Sequence, residues 1–342
     1  MLRLILALAA ILMFTPIAAA ASFDCDKAQT AFERAVCTDP TLSHQDEVLA
    51  KAYATALGGL SDGAAAQMKA TQHAWLDHAE RVCSVDAEPI SDTYNDDQIA
   101  CLQTTYRSRI QALETSRMLG DYRFYPEEAY LLEKDTEAAD DAFNKVAEKH
   151  FQTIKIDGGE EDGLAAAFNQ LTEDLRVGYT DYFPDGQAAF APGDVTEDVD
   201  ISTIVKSVSD YRITLQTTNY SYGHGAAHGN YGISYAHFLV SEQRALKASD
   251  IFAKQGWQTT LAKLVIARVK EQMGDGYFAD SEADIPNWVA DPSRWDFSSD
   301  GLIIQFQPYE VAAYAAGAVT VTLRWDEIRD LLAENGEQIG SY

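Results

Sequence analysis

Basic residues are scarce in this chain of 342 residues, and long apolar runs are confined to its first 20 residues. It has 26 Lys and Arg against 53 Asp and Glu, which gives a formal net charge of −27. So acidic a surface repels nucleic acid and anionic lipid, and it speeds encounter with basic proteins, although solubility alone also explains acidity. No later stretch provides the ~20 apolar residues that span a bilayer. We therefore expect neither nucleic-acid binding nor membrane insertion.

Motifs of the common catalytic and cofactor sites are also missing. The chain has no Gly-x-Ser-x-Gly, no His-Glu-x-x-His, no phosphate-binding loop and no dinucleotide fingerprint. Carboxylates are so abundant that no single pair can be nominated as acid and base. We therefore expect a protein that is not an enzyme and that uses no cofactor.

Cysteine is absent from the 241 residues after Cys101. The four cysteines, Cys25, Cys37, Cys83 and Cys101, all lie within one stretch of 77 residues. This pattern predicts two disulfides that staple a small N-terminal module in an oxidising compartment. Three pairings are possible, and near neighbours (Cys25 with Cys37, Cys83 with Cys101) are favoured. A zinc site is disfavoured because no Cys-x-x-Cys pair occurs.

The N-terminus has the features of an export signal over residues 1–21. Arg3 provides a positive start, residues 4–14 are apolar, and a run of alanines offers a cleavage site near Ala20. We expect a mature protein that is soluble and is either periplasmic or secreted.

Length and patterning predict two domains, because about 320 mature residues exceed the usual size of one core. Residues 22–118 carry a net charge of −7, and residues 119–342 carry −21. Helical periodicity predicts an all-α first domain. Its helices are expected at 28–37, from residue 41, at 64–83 and at 98–118, with Thr30 and Glu33 as a capping box at the first.

The second domain mixes helical and strand periodicities. Helices are predicted at 135–151, 164–177 and 259–273, with a last one near Asp326, and strands at 207–222, 231–240, 302–306 and 318–323. Helices grouped beside an antiparallel sheet indicate an α+β fold.

Between residues 22 and 116 the four cysteines occur in register with a series of other residues. The series is Phe23, Asp24, Cys25, Glu33, Cys37, Asp39, Pro40, Leu42, Asp46, Gln72, Trp75, Leu76, Arg81, Cys83, Cys101, Leu102, Tyr106 and Arg109. Through these residues the range 22–116 resembles the N-terminal domain of the LprI-type lysozyme inhibitors, and it departs from that family's pattern in an enlarged loop over 84–98.

Three segments of the second domain form a further pattern: a turn at 220–230 (Tyr-Ser-Tyr-Gly-His-Gly-Ala-Ala-His-Gly-Asn), residues 246–252 and a Pro-Tyr-Glu-Val segment at 308–311. Through these segments residues 120–333 resemble a domain of the RsiV anti-sigma factor, in which this region is a lysozyme receptor. Such domains also accompany cell-wall enzymes, so the ligand does not follow from this likeness alone.

Together the two resemblances imply an exported protein that binds and inhibits lysozyme, or a related wall hydrolase, by covering its cleft. A Gly-rich turn that carries Tyr and His is a suitable anchor, since interface anchors favour Tyr, Trp and Arg. The candidate contact residues are Tyr220, Tyr222, His224, His228, Tyr231, Tyr309, Glu310 and Tyr314. The alternative role for them is structural: glycines that permit a tight bend and rings that cover the sheet.

Two further interpretations remain at this stage. One is an envelope module that binds peptidoglycan or another glycan without catalysis. The other is a zinc site at His224, His228 and His237, which the surrounding glycines disfavour because they argue against a helix there. We expect no metal.

Overall fold

The computed structural model describes residues 21–139, 142, 145–158, 162–179 and 194–340. In these ranges a small helical module precedes a larger α+β module, which confirms the predicted fold class. The predicted export signal lies outside the described residues except for Ala21. No helix in the described ranges is both long and apolar enough to cross a membrane.

The helical module consists of four helices around one aromatic core. Thr30 and Glu33 form the predicted capping box at the first of them. In the core, the ring of Trp75 meets that of Tyr106 edge to face, with centroids 5.2 Å apart. The helices are α1 (Ala31–Thr38), α2 (Pro40–Leu57), α3 (Asp62–Arg81) and α4 (Asp96–Glu114).

Two disulfides close this module, and they join the near neighbours that we favoured among the three possible pairings. Cys25 pairs with Cys37 across 12 residues, and Cys83 pairs with Cys101 across 18. Loops of this length correspond to about 3 kcal/mol of stabilisation each in the chain-entropy model. The second disulfide ties the end of α3 to α4 across the acidic loop.

The larger module contains a seven-stranded sheet whose strands lie in chain order. All neighbours are antiparallel except β3 and β4, which are parallel. Helix α5 (Gly163–Val177) lies between these two strands in the chain and packs on β3. The strands are β1 (Met118–Leu119), β2 (Tyr122–Lys134), β3 (Val146–Ile156), β4 (Glu197–Val208), β5 (Arg212–Gly223), β6 (Asn230–Leu239) and β7 (Arg244–Ala245).

A second sheet of three strands follows and encloses the largest apolar core. Gly301 lies so close to the backbone of Leu323 that a Cβ atom on residue 301 would collide with it. Because glycine has no Cβ atom, β9 and β10 can pair here. The elements are α6 (Ala248–Ile251), α7 (Trp257–Met273), α8 (Ile285–Trp288), β8 (Trp295–Phe297), β9 (Gly301–Gln305), β10 (Thr320–Arg324), α9 (Trp325–Ile328) and α10 (Gly336–Gly340).

The helix predicted over 135–151 is wrong, because its last part belongs to strand β3. Ala147, Lys149 and Phe151 alternate as buried residues along this strand. Ala147 and Phe151 are also four residues apart, which fits one helix face equally well. Because Lys149 between them is charged, the sequence does not show the alternation of apolar residues that would indicate a strand.

The single strand predicted over 207–222 is in fact the end of β4, a turn and β5. Ser209 makes the turn, because its hydroxyl accepts hydrogen bonds from the backbone N–H groups of Tyr211 (3.4 Å) and Arg212 (3.1 Å). The apolar alternation continues through the turn and hides it. The helices predicted at 164–177 and 259–273 and the strand at 231–240 are confirmed.

Strand β2 packs against α3 and α4 and joins the two modules. The guanidinium of Arg109 on α4 forms a buried ion pair with Glu128 on β2, and neither side chain is more than 2% exposed. Gln72 on α3 accepts two further hydrogen bonds from Arg109, at 3.0 and 2.9 Å. At the start of β2, Arg123 donates to the carbonyl of Ala56 at 2.8 Å. The modules therefore meet through specific polar contacts.

Candidate partner-binding surface

Five of the eight predicted contact residues lie together at one end of the seven-stranded sheet. We call this group, Tyr220, His228, Tyr231, Tyr309 and Tyr314, the tyrosine patch. Strands β5 and β6 place Tyr220 directly opposite Tyr231. The other two tyrosines arrive from the segment between β9 and β10. The sheet thus assembles residues that are distant in sequence.

Tyr314 is the centre of the tyrosine patch. Its hydroxyl donates a hydrogen bond to the carbonyl of Gly229 at 2.6 Å. The ring of His228 stacks on it with centroids 4.3 Å apart, and the rings of Tyr309 and Tyr231 lie 5.2 and 6.1 Å away. Desolvation and the neighbouring tyrosines raise the pKa of the Tyr314 hydroxyl, which keeps it a donor.

Two tyrosines of the patch present their rings to solvent. Tyr220 is 41% exposed and Tyr309 is 53% exposed. The Tyr220 ring covers Gly229 so closely that any side chain at residue 229 would collide with it. A side chain at residue 229 would therefore have to displace the hydroxyl end of this ring. The same contact holds the Tyr220 ring at the surface.

Tyr309 adopts a left-handed backbone conformation with φ of 72°. For a residue with a large side chain this costs on the order of 1 kcal/mol, and such strain is concentrated at functional sites. Neighbouring side chains hold the segment in place. Gln307 bonds both backbone groups of Ile233 on β6, at 2.9 and 2.6 Å.

Glu310 holds the segment that contains Tyr309 through contacts within the fold. Its carboxylate receives two hydrogen bonds from Arg294, at 2.6 and 2.8 Å, and one from the backbone of Gln307 at 2.8 Å. Because its carboxylate already accepts three internal hydrogen bonds, Glu310 has little capacity left to bind a partner. We therefore assign Glu310 a positioning role for Tyr309.

His224 and Tyr222 lie beside the patch, at the end of β5. The two ring nitrogens of His224 contact Asp135 at 2.6 Å and Asp198 at 3.3 Å. Tyr222 donates to the carbonyl of Ala226 at 3.2 Å within the turn. These two predicted contact residues therefore form the base of the turn.

His237 is buried in the core, and both of its ring nitrogens already have protein partners. Its ring nitrogens contact the hydroxyl of Thr214 (3.1 Å) and the carbonyl of Trp295 (3.0 Å). Burial and the charge of Arg212 lower its pKa to about 3, so it is neutral. The structure does not bring His224, His228 and His237 together, and the described residues contain no group of three or more His, Cys, Asp or Glu that could hold a metal.

Folding should depend on pH through His224. Burial lowers its pKa, but the hydrogen bonds and charges of Asp135 and Asp198 outweigh burial and raise it above the ordinary value. The protonated form is therefore favoured by folding, so this stabilisation is complete below about pH 6.5 and is lost as pH rises through the folded-state pKa. We expect His224→Gln to lower the free energy of unfolding in urea more at about pH 5.5 than at about pH 9.

The matched control is His44→Gln on α2, since the His44 side chain is 72% exposed and its nearest carboxylate is 3.9 Å away. It should change the free energy of unfolding equally little at both pH values. Equal losses from His224→Gln at both pH values would show that the carboxylate contacts do not hold its proton.

Comparison with known proteins finds a family model that matches part of each module. Residues 25–113 match the family described as "Lysozyme inhibitor LprI", and residues 249–326 match a "Protein of unknown function (DUF3298)". This agrees with the LprI resemblance of the first module, and the resemblance to RsiV stays a prediction. No curated protein matches the chain.

Two crystal structures of DUF3298 family proteins are similar to the chain. One, from Bacteroides fragilis NCTC 9343, has 16% identity and a TM-score of 0.46, and the match covers 63% of this chain and 95% of that one. The other, from Pseudomonas aeruginosa PAO1, has 11% identity and a TM-score of 0.41, with 61% and 94% covered.

Proposed function

We propose that this protein is exported and inhibits lysozyme, or a related wall hydrolase, by binding it. The match of residues 25–113 to the lysozyme inhibitor family carries this proposal. Two disulfides fit a protein that works outside the cytoplasm. The chain acts by occupying its partner, without chemistry of its own.

The tyrosine patch is the proposed anchor for the partner. Tyr220 and Tyr309 offer large rings with few rotatable bonds. The Tyr309 ring lies against that of Tyr314, and Glu310 holds this segment by accepting a hydrogen bond from the backbone of Gln307. Rigid aromatic groups lose little entropy on binding, so they contribute more to affinity than mobile side chains do.

Electrostatic attraction is the proposed means by which the protein and lysozyme meet in solution. Lysozymes of the animal type are basic, and this chain carries a formal net charge of −27. Attraction between opposite net charges raises association rates and is screened by salt, while short-range packing sets the dissociation rate.

The salt dependence of association therefore tests the proposal against glycan binding. With immobilised animal-type lysozyme, the association rate should fall by about tenfold or more between about 20 and 500 mM NaCl, while the dissociation rate changes little. Binding to peptidoglycan fragments that is independent of salt, with no binding to lysozyme, would instead favour the non-catalytic glycan-binding module.

A further inference from the structure

Asp46 is a buried carboxylate of the helical module that the proposed function does not use. It lies on α2 and is 8% exposed. Two groups donate hydrogen bonds to it: the hydroxyl of Tyr106 at 3.2 Å and the backbone nitrogen of Ser22 at 2.7 Å. As a hydroxyl and an amide, neither donor carries a positive charge. Because a buried charge is costly unless it is paired, the environment of Asp46 calls for a cation.

No cationic side chain within the described ranges forms an ion pair with Asp46. The buried Glu128, by contrast, is paired with the guanidinium of Arg109. Burial raises the pKa of the Tyr106 hydroxyl, and the charge of Asp46 raises it further, so that this hydroxyl remains a neutral donor. The backbone nitrogen of Ser22 is therefore the contact of Asp46 that is able to become a cation.

The segment that contains Ser22 is held in position next to Asp46. Three residues further along, Cys25 is tied to Cys37 by a disulfide, and the ring of Phe23 packs against the core of the helical module. Ser22 itself is exposed. A charged group at its nitrogen would therefore keep part of its hydration while it contacts the carboxylate, which reduces the cost of desolvation.

The sequence places a signal-peptidase site directly before Ser22. Ala19 and Ala21 stand third and first before the bond between residues 21 and 22, which is the Ala-x-Ala pattern of such sites. The run of alanines also permits cleavage one residue earlier, after Ala20. The two cuts differ in the group that they place next to Asp46.

Cleavage after Ala20 would retain Ala21, whose methyl group is buried in the helical core, and would leave an ordinary amide at Ser22. Cleavage after Ala21 gives up the burial of one methyl group. In exchange, it turns a nitrogen that lies 2.7 Å from Asp46 into an ammonium group. A charge-assisted hydrogen bond is about twice as strong as a neutral one. The geometry therefore favours a mature chain that begins at Ser22.

We propose that signal peptidase cleaves the chain between Ala21 and Ser22, and that the new α-ammonium group of Ser22 forms an ion pair with Asp46. Water is the second reactant. Its oxygen joins the carbonyl carbon of Ala21, which leaves as a carboxylate, and its two protons convert the nitrogen of Ser22 into an ammonium group. This step rests on the export that the proposed function includes, and it does not depend on lysozyme binding. The ion pair fastens the start of the mature chain to α2 and, through Tyr106, to α4.

The intact mass of the protein recovered from the periplasm of a bacterial host with two membranes tests the cleavage. We expect a chain that begins at Ser22. A processed chain that begins at Ala21 or at any other residue would overturn this proposal alone. A chain that retains residue 1 would overturn export as well as this proposal.

A double-mutant cycle tests the ion pair. Oxidised protein that begins at Ser22 and protein that begins at Ala20 are each compared with their Asp46→Asn variants by unfolding in urea. At about pH 6.5, Asp46→Asn should raise the equilibrium constant of unfolding about tenfold more in the form that begins at Ser22. The packing of Ala21 differs between the two forms but is unchanged by the substitution, so it cancels in the cycle.

The pH dependence identifies the ammonium group. An α-amino group has an ordinary pKa of about 8, and the ion pair raises its folded-state pKa above that value. The extra stabilisation is therefore complete below about pH 8 and is lost as pH rises through the folded-state pKa. At about pH 10 the two forms should respond nearly equally to Asp46→Asn. Equal responses at pH 6.5 would overturn the ion pair, and none of these readouts involves lysozyme.

Discussion

Replacing Arg109 by Met should destabilise the protein by about 3–5 kcal/mol, the cost of leaving a buried charge without its partner. Arg109 is 1% exposed, and it pairs with Glu128 between the modules. Its removal leaves the Glu128 carboxylate buried, and among the described residues Tyr130 and His150 remain as its side-chain donors. The free energy of unfolding in urea, measured with the oxidised protein, gives the size of the loss.

Two variants separate the lost ion pair from lost packing. Arg107→Met removes a charge from the same helix, but Arg107 is exposed and bonds only Thr104, so its cost should stay below about 0.5 kcal/mol. The double variant Arg109→Met with Glu128→Gln should recover much of the single-variant loss, because the uncompensated charge is gone. A double variant as unstable as Arg109→Met alone would assign the effect to packing.

Removing the two exposed rings of the tyrosine patch should weaken lysozyme binding while leaving the fold intact. Tyr220→Ala and Tyr309→Gly should each raise the dissociation constant by about 30-fold, as expected for interface anchors. Tyr309→Gly also relieves the strain of a left-handed backbone at φ 72°. Its free energy of unfolding should therefore stay equal or rise, which a purely structural tyrosine would not allow.

Tyr211→Ala is the matched control for the tyrosine patch. Tyr211 is 39% exposed, close to the 41% of Tyr220, but it precedes β5 and lies at the other end of that strand. Binding should be unchanged in this variant. If all three variants weakened binding equally, or if none did, the tyrosine patch would not be the anchor.

Local signals in the sequence were sufficient to predict the helices of the helical module. The capping box of Thr30 and Glu33 and the helical periodicity predicted α1 to α4 to within a few residues, because each signal lies within the helix that it specifies. Strand β3 was missed for the opposite reason. Its buried Lys149 is stable only through contacts made elsewhere in the fold, and a single sequence does not display them.

In the candidate partner-binding surface, too, features set by local sequence were predicted and features set by distant contacts were not. Alternation predicted strands at 207–222 and 231–240, and the structure pairs Tyr220 with Tyr231 across β5 and β6. Nothing local showed that Glu310 is bound by Arg294 or that His224 is bound by Asp135, 89 residues away.

Turnover of a cell-wall substrate by animal-type lysozyme, measured against increasing amounts of the oxidised protein, tests the central claim most directly. We expect saturable inhibition that reaches completion near one inhibitor per lysozyme. Unchanged turnover at every ratio, together with no binding at low salt, would contradict the proposed function for this class of lysozyme.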